Sequence, residues 1–204
     1  MFITFEGMEC AGKSTLSKKF VEYLEACGEN VVYIREPGTT KIGEELRKIL
    51  AENPMNTVSR AALFSASFFE TWSTVITPAK QRGDIIVSDR WYDSMMAYQM
   101  VNSDTVSQNF VRDIQKSLID IGAEPDLTFL VDISLDIFAE RLRKKKKLDV
   151  TEKLGIDFHR QVKVNYLYEF SVNERIYLVD GSKNIDYIMD RIICKYKDAK
   201  NFAS

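Results

Sequence analysis

The sequence predicts an α/β fold in which a parallel β-sheet is covered by helices on both faces. Short runs of β-branched and aromatic residues alternate along the chain with longer amphipathic stretches, a pattern that indicates alternating strands and helices. The short runs are almost continuously apolar, which is typical of strands buried on both faces. No repeat, linker or change of composition divides the 204 residues, so we expect one domain over residues 1–204.

Five apolar runs are predicted to be strands. They are rich in valine, isoleucine, leucine and aromatic residues, and each lies between amphipathic stretches or turn residues. Because helical stretches separate successive runs, the strands should lie parallel to one another. The predicted strands are Phe2–Phe5, Val31–Arg35, Ile85–Asp89, Leu127–Asp132 and Ile176–Asp180.

The first two predicted helices have recognisable ends. The helix from Ser14 to Cys27 is followed by Gly28, a common helix stop signal. The helix from Lys41 to Ala51 is followed by Asn53-Pro54, which breaks helical structure. In this second helix, the apolar residues expected to face the core are Ile42, Leu46, Ile49 and Leu50.

Six further amphipathic stretches are predicted to be helical. The longest contains Pro78, which is expected to kink it because proline lacks the backbone N–H of the helical ladder. The six stretches are Thr57–Arg82, Ser94–Val101, Val106–Ile121, Leu135–Lys145, Phe158–Phe170 and Ile185–Lys197.

Composition narrows the class of protein. Lysine and arginine total 28 against 30 aspartates and glutamates, a net charge of −2, whereas nucleic-acid-binding surfaces are usually basic. No apolar stretch approaches the ~20 residues of a membrane-spanning helix, and the first residues lack the basic region of a signal peptide. The three cysteines form no CxxC pair, so neither structural zinc nor a disulfide framework is predicted. We therefore expect a soluble cytoplasmic protein with no membrane or nucleic-acid partner.

A phosphate-binding loop follows the first predicted strand. Residues 7–14 match the pattern G-x-x-x-x-G-K-[ST], with a strand before and a helix after them. The glycines let backbone N–H groups face phosphate oxygens, Lys13 places a positive charge there, and the Ser14 hydroxyl is a ligand for Mg²⁺. The residues predicted to contact the nucleoside triphosphate are Gly7, Glu9, Cys10, Ala11, Gly12, Lys13, Ser14 and Thr15.

Two residues inside this loop carry alternative interpretations. Glu9 is an acid in an anion-binding loop, so it either meets a hydroxyl or cation on the acceptor side or faces solvent. Cys10 lies near a helix N-terminus, where thiol pKa values fall; it is either a regulatory thiol or a small residue that fills the loop.

Charged side chains follow two other predicted strands. Asp89 and Arg90 end the third strand and Arg35 ends the second, and ligands of open α/β sheets bind beyond the carboxyl ends of strands. Together with Lys13 these residues are the predicted catalytic set, with Asp89 joining Ser14 as a magnesium ligand. A surface ion pair is the alternative for Asp89 and Arg90. Phosphoryl transfer needs mainly positioning and charge neutralisation, which such a set supplies.

A basic run interrupts the later part of the chain. Lys144–Lys147 follows Arg141 and Arg143. This run is a solvated helix end, part of a lid over the nucleotide at about residues 143–156 or, as a distant third interpretation, a nucleic-acid contact. Arg141 is predicted to belong to the ATP site. His159 is the single histidine; it lies in a predicted helix and is expected to be structural or exposed.

Taken together, these motifs resemble the thymidylate kinase family in its bacterial form. The resemblance runs along nearly the whole chain and rests on FEGMECAGKST at 5–15, REPG at 35–38, SDRWYDSMMAYQ at 88–99 and KLDVTEKLGIDFHRQVKVNYL at 147–167. It implies the P-loop nucleoside monophosphate kinase fold, with a five-stranded parallel sheet, helices on both faces and a lid. It also implies the reaction of ATP with dTMP to give ADP and dTDP, with Mg²⁺, in a homodimer that packs through the apolar helix around residues 60–80.

The resemblance implies roles in binding the acceptor phosphate and sugar. Arg35 and Arg90 would grip the acceptor phosphate, because a guanidinium presents a fork of donors to it. Glu9 would contact the deoxyribose 3′-hydroxyl. Tyr98 would crowd the sugar and favour deoxyribose.

The resemblance also implies how the acceptor base is held. Phe64 would stack on the base, as aromatic rings commonly do, and Arg47 would line the same pocket. Gln99 would reach the edge of the base.

The chain departs from the family pattern in this pocket. The family carries an arginine that bonds a base oxygen where this chain has Phe68, and a small residue, often with a hydroxyl, where it has Met95. An apolar pocket discriminates less than one built from hydrogen-bonding groups. Thr39 replaces a family glycine, and Val150 replaces a lid arginine whose charge Lys145–Lys147 would then supply.

These departures leave alternatives open at the level of sequence. One is a kinase for a different deoxynucleoside monophosphate, such as dUMP or a modified pyrimidine nucleotide. The others are a deoxynucleoside kinase and a catalytically inactive nucleotide-binding module.

Overall fold

The computed structural model describes residues 1–203 of the chain and contains the predicted five-stranded parallel sheet. The strand order is β2-β3-β1-β4-β5, and every neighbouring pair is parallel. The strands are β1 (Phe2–Glu6), β2 (Val31–Arg35), β3 (Ile85–Asp89), β4 (Leu127–Asp132) and β5 (Ile176–Asp180). The α/β class is therefore confirmed.

The register of the central strands brings polar side chains to one edge of the sheet. Phe5 of β1 lies opposite Asp89 of β3, which in turn lies opposite Arg35 of β2. Three carboxyl ends thus meet at adjacent positions, as an open parallel sheet requires. This edge is where the sequence motifs converge.

Nine α-helices within the described residues pack around the sheet. They are α1 (Lys13–Ala26), α2 (Lys41–Glu52), α3 (Thr57–Thr71), α4 (Thr77–Arg82), α5 (Tyr92–Gln99), α6 (Thr105–Asp120), α7 (Leu135–Arg143), α8 (Gly155–Val172) and α9 (Ile185–Ala203). The predicted helices are all present. Their ends differ by a few residues, most at α9, which continues beyond the predicted end.

Alternation along β1 divides the core between the two faces of the sheet. Ile3 and Phe5 belong to one buried cluster, whereas Phe2 belongs to the other, because successive strand residues point to opposite faces. Glu6 follows the parity of Phe2 and is fully buried. The Glu6 carboxylate thus lies at the carboxyl end of β1, on the face of the sheet that carries the cluster containing Phe2.

A π-helical turn interrupts the long stretch from residue 57 to residue 82. It spans Trp72–Ile76, between α3 and α4, and the N–H of Thr77 bonds the carbonyl of Trp72, five residues back. Pro78 lies at the start of α4. Because proline offers no N–H, the ladder of hydrogen bonds is disturbed here and the wider turn accommodates the change.

The inward face predicted for α2 is only partly correct. Leu50 is buried, but Ile42 and Ile49 are 54% and 43% exposed. This helix packs mainly on α3, so only a narrow face of it is covered. Apolar periodicity alone overestimates burial in such a position.

Within residues 1–203, no helix combines the length and apolar composition needed to cross a bilayer.

Candidate active site

The phosphate-binding loop connects β1 to α1 and depends on two glycines. Gly7 has φ +134°, and a Cβ there would lie 2.3 Å from the carbonyl oxygen of Val131 on β4. Gly12 has φ +101° and immediately precedes α1. Other residues are strained in this backbone region, so the glycines allow the loop to lie against the sheet with its N–H groups turned toward a ligand.

Lys13 and Ser14 begin α1 beside the end of β3. The Lys13 Nζ is buried and donates to the carbonyl of Met8 at 2.6 Å. Burial, reinforced by the nearby charge of Arg90, lowers the pKa of Lys13 to about 8. The Ser14 Oγ donates to Asp89 Oδ2 at 2.5 Å. A cationic side chain and two oxygen ligands therefore face the same end of the loop.

Arg141 of α7 fastens the phosphate loop from the opposite side. Its two terminal nitrogens donate to the carbonyls of Cys10, at 3.0 Å, and Gly181, at 3.3 Å. Burial raises the pKa of the Cys10 thiol, so this thiol is not activated here. Ala11 is buried in the loop, and Thr15 is exposed on the first turn of α1.

A cavity of about 330 Å³ opens beyond the ends of β1, β2 and β3. Twelve of the predicted site residues line it: Glu9, Cys10, Lys13, Ser14, Arg35, Arg47, Phe64, Phe68, Asp89, Arg90, Tyr98 and Gln99. Six do not: Gly7, Ala11, Gly12, Thr15, Met95 and Arg141. All of these except Met95 lie in the phosphate-binding loop, begin the helix after it or hydrogen-bond to it.

Arg90 lines the cavity in a strained backbone conformation. Its φ is +74°, which is unusual for a residue with a side chain. The guanidinium donates to Ser94 Oγ at 2.8 Å and lies 3.5 Å from Glu9 Oε1. The hydroxyl of Tyr98 also donates to Glu9. Burial alone would raise the pKa of Glu9, but Arg90 and Lys13 outweigh it and lower that pKa.

Arg35 and Arg47 also line the cavity. Arg35 bonds Glu44 at 3.1 Å, and Arg47 donates to the carbonyl of Pro37 at 3.0 Å. The hydroxyl of Thr39 accepts from the backbone N–H of Arg35 and donates to its carbonyl. The threonine that replaces the family glycine thus stabilises the turn that presents Arg35.

Glu36 anchors the same turn to α3. It is buried and accepts hydrogen bonds of 2.6 Å from both Ser67 and Thr71. Burial raises its pKa despite these bonds. The turn is therefore held both by Thr39 and by α3, which fixes the position of Arg35.

Aromatic rings form the apolar wall of the cavity. Phe64 and Phe68, one turn apart on α3, stack with ring centroids 6.1 Å apart, and Phe68 contacts Trp91 at 4.9 Å. Phe68 is only 1% exposed. A flat wall of this kind suits a nucleobase, since aromatic faces stack on aromatic rings.

Met95 is placed differently from the prediction. It lies on α5 but does not line the cavity. Instead it is 1% exposed in the core cluster that contains Trp91 and Tyr92. The eight residues of α5 are all buried, so proximity in sequence to Tyr98 does not decide which side chains reach the cavity.

Sequence reasoning missed several cavity residues. Arg60 precedes Phe64 by one helical turn, lines the cavity and donates to Thr151 Oγ1 at 2.8 Å. Its guanidinium lies 5.9 Å from the Phe64 ring centroid. The spacing of four residues on α3 was a usable signal for Arg60, whereas only the tertiary structure brings Thr151 to it.

The predicted lid segment, residues 143–156, borders the cavity. Of the lysines at 144–147, Lys145 alone lines the cavity and pairs with Glu152; Lys144 pairs with Glu140 on α7. The N–H of Val150 donates to the carbonyl of Ala51 at 3.3 Å. The segment thus contacts α2 and α3 beside the cavity.

His159 is buried rather than exposed. Among the described residues neither ring nitrogen has a hydrogen-bond partner, and Nδ1 lies 3.8 Å from Glu9 Oε2. Burial lowers its pKa. The imidazole packs against Phe138, with ring centroids 4.4 Å apart, so its surroundings are mainly apolar.

The donor set at Ser14 and Asp89 suits Mg²⁺ bound together with a nucleotide. A hydroxyl and a carboxylate are hard oxygen ligands, and Mg²⁺ characteristically takes one or two protein ligands and completes its shell with water and phosphate. In the part of the chain described, no three histidine, cysteine, aspartate or glutamate side chains cluster into a protein-only cage. The site therefore matches a metal that arrives with phosphates.

Comparison with known proteins agrees with this geometry. The family model described as thymidylate kinase matches residues 5–192. A thymidylate kinase of Thermosipho melanesiensis is 35% identical over 195 residues, covering 94% of this chain and 95% of the relative. Thymidylate kinases of Thermosipho africanus and Burkholderia cenocepacia are 37% and 36% identical, and each alignment covers 94% of this chain and 95% or 94% of the relative. The chain therefore belongs to the thymidylate kinase family, a family of nucleoside monophosphate kinases.

Proposed function

We propose that this protein transfers the γ-phosphoryl group of ATP to dTMP, producing ADP and dTDP. One observation carries the proposal: the phosphate loop, the arginines at two strand ends and the aromatic wall of α3 all face a single cavity. A phosphate-bearing donor and a phosphate-bearing acceptor with a flat base would meet there. The family to which the chain belongs supports the choice of dTMP.

The proposed division of labour follows from the positions of the charges. The loop N–H groups and Lys13 hold the donor phosphates, while Arg35, Arg47 and Arg90 hold the acceptor phosphate. An acceptor phosphate oxygen attacks the γ-phosphorus, the bond to the bridging oxygen breaks, and ADP leaves with the electron pair. Positive groups on both sides neutralise the charge that builds up on the transferring oxygens.

Ser14 and Asp89 would hold Mg²⁺, which neutralises phosphate charge when it is bound. Lys13 lies within the same loop, and donor oxygens would replace its present bond to the Met8 carbonyl. Since those oxygens are anionic, they would favour the protonated ammonium that burial disfavours in the unliganded protein.

The residues proposed for the acceptor side all line the cavity, which supports their roles. Phe64 and Phe68 would pack on the base and Gln99 would reach its edge. Glu9, held by Tyr98, would accept a hydrogen bond from the sugar 3′-hydroxyl. The apolar side chain of Phe68 would contact the base by shape and stacking rather than by a hydrogen bond.

Two further features form part of this proposal. The lid segment would close over the donor, with Lys145 supplying the charge that Val150 lacks.

A homodimer would form through the half-buried apolar residues of α3 and the π-helical turn, including Phe69 and Trp72. A cytoplasmic location fits an enzyme that consumes ATP. Sedimentation velocity tests the dimer; a single monomeric species at micromolar concentration would contradict it.

The experiment is an ADP-release assay with Mg-ATP and a panel of acceptors. The panel contains dTMP, dUMP, dCMP, dAMP, dGMP, a 5-substituted deoxyuridine monophosphate and thymidine. We expect dTMP to give the highest kcat/KM and thymidine to give no turnover, because the arginines require a phosphate. A higher kcat/KM with any other member of the panel contradicts the proposed acceptor.

A lysine variant shows whether the measured ADP release comes from this protein or from a contaminating enzyme. Lys13→Ala should lower kcat about 10²–10³-fold, the scale of losing one preorganised donor to the transition state. Lys19→Ala is the matched control, because Lys19 lies on the exposed face of the same helix. Equal activity of Lys13→Ala and Lys19→Ala would exclude the assigned donor site.

A further inference from the structure

Glu6 is a buried carboxylate that the proposed reaction does not use directly. It ends β1, is fully buried and lies beneath the cavity wall. Three donors surround it: the Trp91 N–H at 2.6 Å, the Ser94 hydroxyl at 2.5 Å and the Tyr166 hydroxyl at 3.2 Å. Both oxygens of the carboxylate are engaged, so Glu6 is built into a specific network rather than merely tolerated.

This network holds the backbone on both sides of Arg90. The Arg90 N–H donates to the carbonyl of Phe5 at 3.1 Å, and the next N–H, of Trp91, donates to Glu6 Oε1. Phe5 and Glu6 at the end of β1 therefore accept hydrogen bonds from the two residues that follow β3. Such contacts stabilise the positive φ of Arg90, which carries an intrinsic cost.

The network also fixes one edge of the Arg90 guanidinium. Nη1 contacts Ser94 Oγ at 2.8 Å, the Gly7 carbonyl at 3.2 Å and the Tyr166 hydroxyl at 3.4 Å. Nη2 makes one hydrogen bond among the described residues, to Glu9 at 3.5 Å. Nη1 is thus saturated, whereas Nη2 keeps donor capacity for a ligand.

The direction of the Ser94 hydroxyl depends on Glu6. A serine hydroxyl has a single proton, and here it points to the carboxylate. The Ser94 oxygen must therefore accept from Arg90 Nη1 rather than donate elsewhere. An amide in place of the carboxylate would offer donors to this network and would weaken that arrangement.

We propose that Glu6 is a positioning residue for Arg90, acting through Ser94 and the Trp91 amide to keep the free edge of the guanidinium toward the acceptor phosphate. This inference rests on the proposed function, because it takes the phosphate of the acceptor as the ligand of Arg90. It adds Glu6 and Ser94 to the residues that determine acceptor binding, although neither needs to touch the acceptor.

The test compares ligands that differ only in the phosphate. The variants Glu6→Gln and Ser94→Ala are prepared with Thr4→Val as control, since Thr4 is equally buried on β1 and bonds Thr128 at 2.7 Å. Calorimetry at pH 8 gives the Kd of dTMP and of thymidine for each protein, and circular dichroism checks that each is folded.

We expect Glu6→Gln and Ser94→Ala each to weaken dTMP binding by about tenfold, the scale of a hydrogen bond to a charged group. Thymidine binding and the KM for ATP should stay within about twofold of the wild type, because neither ligand presents an acceptor phosphate to Arg90. The double variant should lose little more than either single variant, because both changes act on one network. Ser94→Ala removes a single hydroxyl and keeps the test available even where Glu6→Gln fails to fold.

The outcomes distinguish this inference from the proposed function. A wild-type protein that does not bind dTMP refutes the proposed function itself. A wild-type protein that binds dTMP, with variants that weaken dTMP and thymidine equally or that match Thr4→Val, overturns the role of Glu6 while leaving the proposed function intact.

Discussion

Replacing Phe68 by alanine tests whether one side chain serves both the core and the base pocket. Phe68 is 1% exposed, contacts Phe64 and Trp91 through its ring, and also borders the cavity. Truncating a buried phenylalanine costs about 3–5 kcal/mol of unfolding free energy. Because the space left by Phe68 would join a cavity that is open to solvent, we expect the lower end, about 3 kcal/mol.

Two assays on Phe68→Ala separate the two roles. Denaturation with urea gives the change in unfolding free energy, and steady-state kinetics give the KM for dTMP and for ATP. The KM for dTMP should rise about tenfold from lost stacking on the base, which is worth about 1–3 kcal/mol in comparable sites. The KM for ATP should be unchanged, because Phe68 does not contact the phosphate loop.

Phe129→Ala provides the matched control. Phe129 is fully buried on β4 among other aromatic rings and does not line the cavity. It should lose a similar amount of stability without a selective rise in the KM for dTMP. An equal rise in both variants would refute the assignment of Phe68 to the base pocket.

Three further predictions concern buried charges. Arg175 pairs with the buried Asp93 through two hydrogen bonds of 2.6 and 2.9 Å. Arg175→Met should lower the free energy of unfolding by about 3–5 kcal/mol in a denaturation experiment, because it leaves that carboxylate unpaired. A loss below about 1 kcal/mol would show that the pair is dispensable. Burial, with Asp93 nearby, raises the pKa of Glu6 from 4.5 to about 7, so its ionisation opposes folding as pH rises through this window. The unfolding free energy of Glu6→Gln, relative to that of the wild type, should therefore rise by about 2 kcal/mol from pH 5 to pH 8. A difference between the two proteins that does not change with pH would refute this. Burial lowers the pKa of His159 below its ordinary 6.5, so protonation below that pH favours the unfolded chain. His159→Leu should therefore lose less unfolding free energy than the wild type between pH 7 and pH 5. An equal change of unfolding free energy with pH in both proteins would contradict the argument.

Local motifs made the nucleotide loop predictable. The glycine spacing, Lys13 and Ser14 lie within eight residues of sequence, and strand–loop–helix geometry forces them to one point. The positions of Asp89 and Arg35 were also predictable, because each ends a strand and parallel strands share one carboxyl edge. The class of fold followed from the same alternation of strands and helices.

Side-chain direction on a fully buried helix could not be read from sequence. Both Met95 and Tyr98 lie on α5, whose residues are all buried, yet Tyr98 alone of the two lines the cavity. An amphipathic helix reveals its inner face through polar residues on the other side. A helix covered all round carries no such signal, so the packing of its neighbours decides.

By itself, the sequence determined the α/β fold, the phosphate loop and the strand-end charges, because each depends on residues close together along the chain. Only the tertiary structure decided that Arg60 meets Thr151, that His159 lies near Glu9, and that Glu6 reaches Ser94 and Tyr166. These contacts join residues about 90 to 160 positions apart. No local pattern encodes such pairings, since they form only when separate elements pack against one sheet.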